Sequence, residues 1–522
     1  MSRAIFRSTG VVGVTTLLSR ITGLLRDMVY ARMFPTGTGL MDAFLIAYQI
    51  PNTLRRLFAE GAFSQAFVPV VAEYRVRRSQ DDVRDLVDST AGTLGLVVSV
   101  ISVLGVLAAP VLILVLGPGF KERGTFDLAV EMLRWTFPYL FFISLTALAG
   151  GVLNSYGRFA IPAMTSVALN LTAIVFAAWI APHTANPGVT LAIGVFVAGA
   201  IQLVIQIPPL LKLRMIRRPR WNYSHEGVRR IGKLMLPAVL GSSIGQISVL
   251  ISSSIATLLA TGSVAWLYYA DRLVEFPLGV FSIALATVIL PSLSAHHAEE
   301  SPKRFAATLD RALRLLLVIV VPAAVALAVL AGPLTVVIFH YGHFTDFDAR
   351  MTQAALMAYA VALLGWSLVK VLAPGFFARQ DTRTPMRSAV QSLGVTIALN
   401  LVFLGIAWHL DLLARPGLHV ALAATNGVGA LLNAFTLYRG LRRQGILIPA
   451  AGWPALLIRI VVANSVMAAV LWWMGGDLQS WLDAGTADRA WRCALCVGAG
   501  GAAYFLALFA LGTRIRHLAA HP

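Results

Sequence analysis

The chain has 522 residues, 58% hydrophobic and only 13% charged, with a formal net charge of +18. So little polar surface cannot cover a folded chain of this length in water, and apolar runs of about 20 residues recur from end to end, which describes a polytopic α-helical membrane protein. The positive charge does not indicate nucleic acid, because most Lys and Arg sit in short connections between apolar segments.

Taken in chain order, the apolar runs predict about fourteen spans, at 9–33, 42–74, 86–117, 127–156, 160–182, 188–212, 233–260, 265–296, 307–340, 350–378, 385–409, 418–441, 453–474 and 490–513. The first does not read as a cleavable signal peptide, since Arg20 and Arg26 interrupt its apolar core and no A-x-A site follows. As a helix it places Ser19, Arg20, Gly23, Arg26, Asp27 and Tyr30 within an arc of roughly 120°, with Leu17, Ile21, Leu24, Leu25 and Met28 opposite. A charged arc in a membrane-like chain must line a protein interior or a watery cavity.

The connections alternate in charge. One set carries Arg75, Arg77, Arg78, Arg84, Arg158, the run from Lys212 to Lys233, Lys303, Arg304, Arg379, Arg383, Arg387, Arg439, Arg442, Arg443, Arg514 and Arg516; the other carries little beyond Lys121, Arg123, Arg350, Arg415, Arg489 and Arg492. A bias of roughly fourfold makes the first set cytoplasmic and puts both termini inside. The most basic connection, Lys212 to Lys233, includes Trp221 and Tyr223. It reads first as a positive-inside anchor with interfacial aromatics, and its chemistry also suits an anionic headgroup.

The chain repeats itself. FVPVVAEY around Pro69 matches ILPSLSAH around Pro291, LAAPVLILVL around Pro110 matches LAGPLTVVIF around Pro333, and GPGF ending at Phe120 matches YGHF ending at Phe344, at offsets of 222, 223 and 224 residues. A duplicated unit follows, with lobes at 1–222 and 223–445. An even number of spans per unit makes the halves parallel, related by an axis along the membrane normal. The last two spans, within 446–522, have no counterpart and form an appended pair, so a twelve-helix core is expected to fold without them.

Charges inside the spans are Arg20, Arg26, Asp27, Arg55, Arg56 and Glu60 in the first half, with Asp42 near a helix end, and Asp271, Arg272, Glu275 and Lys370 in the second. Arg56 and Glu60 are spaced i, i+4, as are Asp271 and Glu275, with Arg272 one turn from Glu275, so each of these arginines has a carboxylate within pairing distance on its own helix. Arg20, Arg26 and Arg55 have only Asp27 as a clear local counter-charge. Grouped guanidiniums in low dielectric call for an anion, water or a distant carboxylate, and Arg in preference to Lys suits bidentate binding of phosphate or carboxylate. Enzymatic readings find no support: HExxH, GxSxG, a P-loop and a carboxylate pair with metal-ligand spacing are all missing, so no catalytic residue and no metal site is assigned. Cys493 and Cys496, spaced i, i+3, read as buried structural thiols.

SRITGLLRD (Ser19–Asp27), DAFLIAYQIPNTLRRLFAEGAFSQAFVPVVAEY (Asp42–Tyr74), YYADRLVEFPLGV (Tyr268–Val280) and VKVLAPGFFARQDTRTP (Val369–Pro385) closely resemble the MurJ/MviN family of lipid II flippases, within the superfamily that includes multidrug/toxin extruders and polysaccharide exporters. The resemblance runs over essentially the whole chain. It implies an all-α membrane fold of fourteen helices in two six-helix lobes around a central cavity, the last two helices forming a lipid-tail groove. It also implies transport of an undecaprenyl-diphosphate-linked peptidoglycan precursor from inner to outer leaflet of the bacterial cytoplasmic membrane. The family's cavity arginines correspond to Arg20, Arg26, Arg55 and Arg272, supported by Ser19, Asp27, Asp42, Glu60 and Glu275. Gln49 departs from the pattern, standing where some relatives have Lys.

The reading is therefore an alternating-access lipid flippase for cell-wall synthesis, without cofactor, driven by membrane potential or a coupling ion. Its partners are the lipid-linked precursor, membrane lipids and other cell-wall synthesis proteins, and not nucleic acid. A drug/cation antiporter of this fold needs unpaired intramembrane carboxylates, whereas here carboxylates come with arginines beside them. Another polyprenyl-linked glycan exporter, a non-transporting scaffold for cell-wall enzymes and a membrane-embedded transferase are the remaining alternatives, and the last lacks a catalytic set.

Overall fold

The structure, a computed structural model, describes residues 2–56, 63–215 and 218–513, and every regular element among them is a helix. Two compact units, Met1–Val264 and Ala265–Pro522, divide the chain. The first contains α1 (Ser2–Met33), α2 (Leu40–Arg55), α3 (Ser64–Arg77), α4 (Gln80–Leu107), α5 (Ala109–Leu116), α6 (Phe126–Thr136), α7 (Tyr139–Ser155), α8 (Ala160–Val175), α9 (Pro187–Val204), α10 (Ile207–Lys212) and α11 (Glu226–Ala256). From α12 (Ser263–Pro277) the second follows, with α13 (Ala284–Ala298), α14 (Pro302–Val329), α15 (Ala331–Phe339), α16 (Asp346–Phe377), α17 (Arg383–His409), α18 (His419–Arg443), α19 (Trp453–Gly475), α20 (Gln479–Leu482) and α21 (Thr486–Ala510).

Ten helices among the described residues are long and apolar enough to cross a membrane. The four other spans read from sequence correspond to α1, to α2 with α3, to α11, and to α12 with α13. Of these, the second span of each pair contains interior prolines, Pro51 and Pro69 in α2 and α3 and Pro277 and Pro291 in α12 and α13. In the repeat these spans are the first and second of each copy.

The duplication is visible in the element pattern. Both α4 and α14 are 28 residues long and start 222 residues apart, at 80 and 302. Each gives way after one irregular residue, Ala108 or Leu330, to a short helix with a proline in its first turn, α5 or α15, starting 222 residues apart at 109 and 331. Repeat and packing divide the chain at different places: α11 opens the second copy by sequence but packs on α2, α3, α4 and α5 of the first unit. At its start, α4 is stopped by a capping box in which Ser79 Oγ accepts from the Asp82 amide at 3.2 Å and Asp82 Oδ2 from the Ser79 amide at 3.0 Å. The Ser79 hydroxyl and amide hold the Asp82 carboxyl below its usual range.

The appended pair, α19 and α21, grips α14 at two levels. Asp310 Oδ1 accepts from Trp453 Nε1 at 2.6 Å and from the Ala450 amide at 3.4 Å, while Arg314, paired to Asp310 at 2.8 Å, donates to the Ala450 and Ala451 carbonyls at 2.9 Å each. Higher up, Pro322 lacks the N–H that would bond the Val318 carbonyl four residues earlier, and the Tyr504 hydroxyl of α21 donates to that carbonyl at 2.7 Å. Buried Arg489 adds bonds to the His340 and Leu482 carbonyls, at 3.1 and 2.5 Å. Without the pair, the Val318 carbonyl of α14 loses this donor, so residues 446–522 contribute to the stability of α14.

This generates a test. Tyr504→Phe should lower the thermal unfolding midpoint of the purified protein, the orphaned carbonyl costing about 1–3 kcal/mol. Pro322→Ala, which returns an N–H to Val318, should recover the loss in the double variant. If Pro322→Ala does not rescue Tyr504→Phe, the freed carbonyl is not what the tyrosine serves.

Candidate substrate-binding site

In the first unit the charged arc of α1 is turned inward. Arg26 and Asp27 are 7% and 1% exposed, whereas Leu17, Ile21 and Leu25 on the opposite side are exposed by 46% or more. Arg26 is aimed from two sides. Its Nε and Nη2 donate to Asp27 Oδ1 at 3.0 and 2.7 Å, and its Nη1 donates to Asn170 Oδ1 of α8 at 3.1 Å. Asn170 is anchored in turn, its Nδ2 donating to the Ser19 carbonyl and to Thr22 Oγ1 at 3.1 Å each. Ser19 thus takes part through its backbone, and the asparagine ties the guanidinium to the turn of α1 beneath it.

Below Arg26 lies the Tyr30 ring, 5.6 Å from the guanidinium carbon. Tyr30 meets Phe44 edge-on at 5.5 Å, and Phe44 stacks on Tyr48 at 6.1 Å, so an aromatic row joins α1 to α2. At the end of α2, Arg55 Nε donates to Asn52 Oδ1 at 2.9 Å. Tyr139 of α7 is buried where α7 packs on α2. Arg20 is half-buried on α1, six residues or about 9 Å along the axis from Arg26. Glu60 lies outside the described residues.

Asp42 does not join this group. It begins α2, thirteen residues and about 20 Å of helix from Arg55. Wholly buried there, its Oδ2 accepts from the Gly262 amide at 2.8 Å and faces Arg123 Nη1 at 3.7 Å, clamping two loops to the start of α2. Burial pulls the Arg123 pKa below its ordinary value, and the Asp42 and Glu122 charges oppose that shift.

In the second unit, Arg272 Nη1 donates to Glu275 Oε2 at 2.6 Å, and its guanidinium carbon sits 4.7 Å from the Tyr268 ring centre. The pairing of Arg272 with Glu275 one turn on is the one its spacing allows. Sequence reasoning missed Asn52, Asn170 and Tyr268. The available signal was a lone asparagine in the apolar run ALNLTAIV, since an amide in hydrocarbon needs a partner.

Asp42 gives a prediction. Asp42→Asn keeps an oxygen for the Gly262 amide and should retain most of the unfolding midpoint, while Asp42→Ala should lower it, an unmet buried amide costing about 1–3 kcal/mol. Inactive but fully stable Asp42→Asn protein would make this carboxylate a transport residue and not a loop clamp.

Comparison with known proteins agrees with this architecture. The family model "Lipid II flippase MurJ" matches residues 31–485. The "Probable lipid II flippase MurJ" of Vibrio cholerae is 41% identical, covering 100% of this chain and 98% of the relative. "Lipid II flippase MurJ" of Burkholderia cenocepacia is 40% identical, covering 97% and 98%. Among solved structures, "Lipid II flippase MurJ, inward closed conformation" aligns with a TM-score of 0.77 at 23% identity over 95% of this chain and 97% of that one. An inward-facing multidrug transporter of the MATE family aligns with a TM-score of 0.62 at 17% identity, covering 83% of this chain and 98% of that one, and shares the fold. The chain is a multi-pass membrane protein of the lipid II flippase MurJ family.

Proposed function

We infer that this protein is a flippase that carries lipid II, the undecaprenyl-diphosphate-linked peptidoglycan precursor, from the inner to the outer leaflet of the bacterial inner membrane, with no covalent chemistry. Relatives of that name at 40–41% identity over nearly the full chain support the substrate. The observation that carries the mechanism is the Arg26 guanidinium, buried in a membrane span and held by Asp27 and Asn170.

A diphosphate matches what this arrangement offers. The planar guanidinium donates in a fixed fork that fits two phosphate oxygens, and low dielectric strengthens that contact. Asp27 holds the guanidinium in place while no substrate is bound, and the incoming diphosphate competes with it for the same N–H groups. Arg20 and Arg55 in the first unit and Arg272 in the second complete the cationic set, with Ser19, Asp27, Glu60 and Glu275 as their supports. Alternating access exposes this set first to the cytoplasmic and then to the outer face, while the polyprenyl tail stays in lipid beside α19 and α21.

No cofactor enters this reading. Membrane potential or a coupling ion supplies the drive in this reading, the potential at about 2.3 kcal/mol per unit charge per 100 mV. The distribution of Lys and Arg supports cytoplasmic termini, and other cell-wall synthesis proteins are the partners the activity calls for.

Three variants test the arginines. Arg26→Lys keeps the charge but loses the fork, so complementation of a flippase-depleted strain should fail at normal membrane levels. Arg26→Ala/Asp27→Ala removes both charges and leaves no uncompensated ion, so a pair serving only to neutralise itself would regain function. This reading expects the double variant, and Arg272→Ala, to be present and inactive. A working Arg26→Ala/Asp27→Ala protein would sink the substrate role of this pair.

A further inference from the structure

The basic connection between α10 and α11 is not a loose tether. Its stretch Arg218–Tyr223 lies against α4, where the Arg220 amide donates to the Asp88 carbonyl at 3.1 Å and the Asn222 amide to Thr93 Oγ1 at 3.4 Å. The approach depends on Gly92: a Cβ there would come within 2.3 Å of the Arg220 carbonyl oxygen, closer than such atoms pack, and the atoms it would meet are backbone. A helix glycine thus makes a notch into which the loop backbone fits.

The notch has a definite depth. Exposed apolar side chains on α4 begin at Leu96 and continue through Val97, Val100, Val103, Leu104 and Leu107. Gly92 is one turn before Leu96, about 6 Å along the axis, which is the headgroup layer if the exposed apolar face marks hydrocarbon. The side chains at this level suit that layer. Trp221 and Tyr223 are 57% and 62% exposed, as interfacial aromatics are. Arg218, Arg220, Arg229 and Lys233 are exposed and make no ion pair among the described residues. The nearby acids are engaged elsewhere, Glu226 with Arg78 at 3.4 Å and Glu73 with Arg230 at 2.9 Å.

We propose that Arg218–Tyr223, set in the Gly92 notch and joined by Arg229 and Lys233, is a binding surface for anionic phospholipid headgroups such as phosphatidylglycerol. The arginines meet the phosphate and the two aromatic rings enter the interface beside it. That this lipid belongs to the inner leaflet rests on the cytoplasmic orientation given above; the binding itself does not. The surface goes beyond the transport reading because it lies on the lipid-facing side of α4, apart from the arginine set, and takes a bulk lipid rather than the cargo.

The test is the affinity of the detergent-purified full chain for phosphatidylglycerol against phosphatidylcholine, followed by native mass spectrometry. Wild type should prefer phosphatidylglycerol. Arg218→Gln/Arg220→Gln should weaken phosphatidylglycerol binding by about fivefold per arginine. Arg442→Gln/Arg443→Gln removes the same charge from the end of α18 and should stay within about twofold of wild type. Gly92→Ala changes no charge, yet it should weaken the preference by dislodging the loop, with helix content and elution volume unchanged. Equal losses from both arginine pairs, or full preference in Gly92→Ala, would overturn a built site in favour of undirected positive charge. Undecaprenyl diphosphate displacing phosphatidylglycerol at equal concentration would overturn the choice of occupant. None of these readouts requires leaflet asymmetry or transport, so they fail or hold independently of the flippase reading.

Discussion

The bond between Arg26 and Asp27 constrains how the first unit packs. Stranding either partner in a membrane interior costs about 3–5 kcal/mol, so the pair can exist only where other protein groups surround it. That requirement turns the polar arc of α1 inward, sets α8 against it so that Asn170 can reach the guanidinium, and leaves Leu17, Ile21 and Leu25 to meet lipid.

Duplication places the same devices twice. In each copy the second span carries two interior prolines, Pro51 and Pro69 in one and Pro277 and Pro291 in the other, while α4 and α14 keep the same length and give way after one irregular residue to α5 and α15, of 8 and 9 residues. The copies diverge in charge. Arg26 is matched by a neighbouring carboxylate and an amide from another helix, whereas Arg272 takes Glu275 from its own helix and the face of Tyr268. The second copy carries the extra helix pair, fastened to α14 through Asp310 and through the carbonyl that Pro322 frees. A proline that weakens one helix becomes the attachment point for another.

Much of this was legible in the sequence because it follows from periodicity and charge. The all-helical membrane fold, the repeat and the inward face of α1 each needed only a count of residues and a rule about burying charge. Side-chain partners from distant helices were not legible: nothing local to Arg26 names Asn170, which lies 144 residues on. Asp42 shows the same limit, since in sequence a carboxylate beside an apolar run looks the same whether it meets a substrate or holds the Gly262 amide. Gly92 carried no signal at all, because its role depends on a loop that returns from residue 220.

The central claim is that guanidiniums inside the membrane grip the diphosphate of the cargo. The most direct measurement is a leaflet-resolved assay in vesicles containing this protein alone, comparing two labelled lipids with the same polyprenyl tail and sugar. One carries the diphosphate linkage, the other an uncharged linkage of similar length. The account predicts protein-dependent transfer of the diphosphate lipid and none of the uncharged one. Transfer of both at the same rate would contradict it.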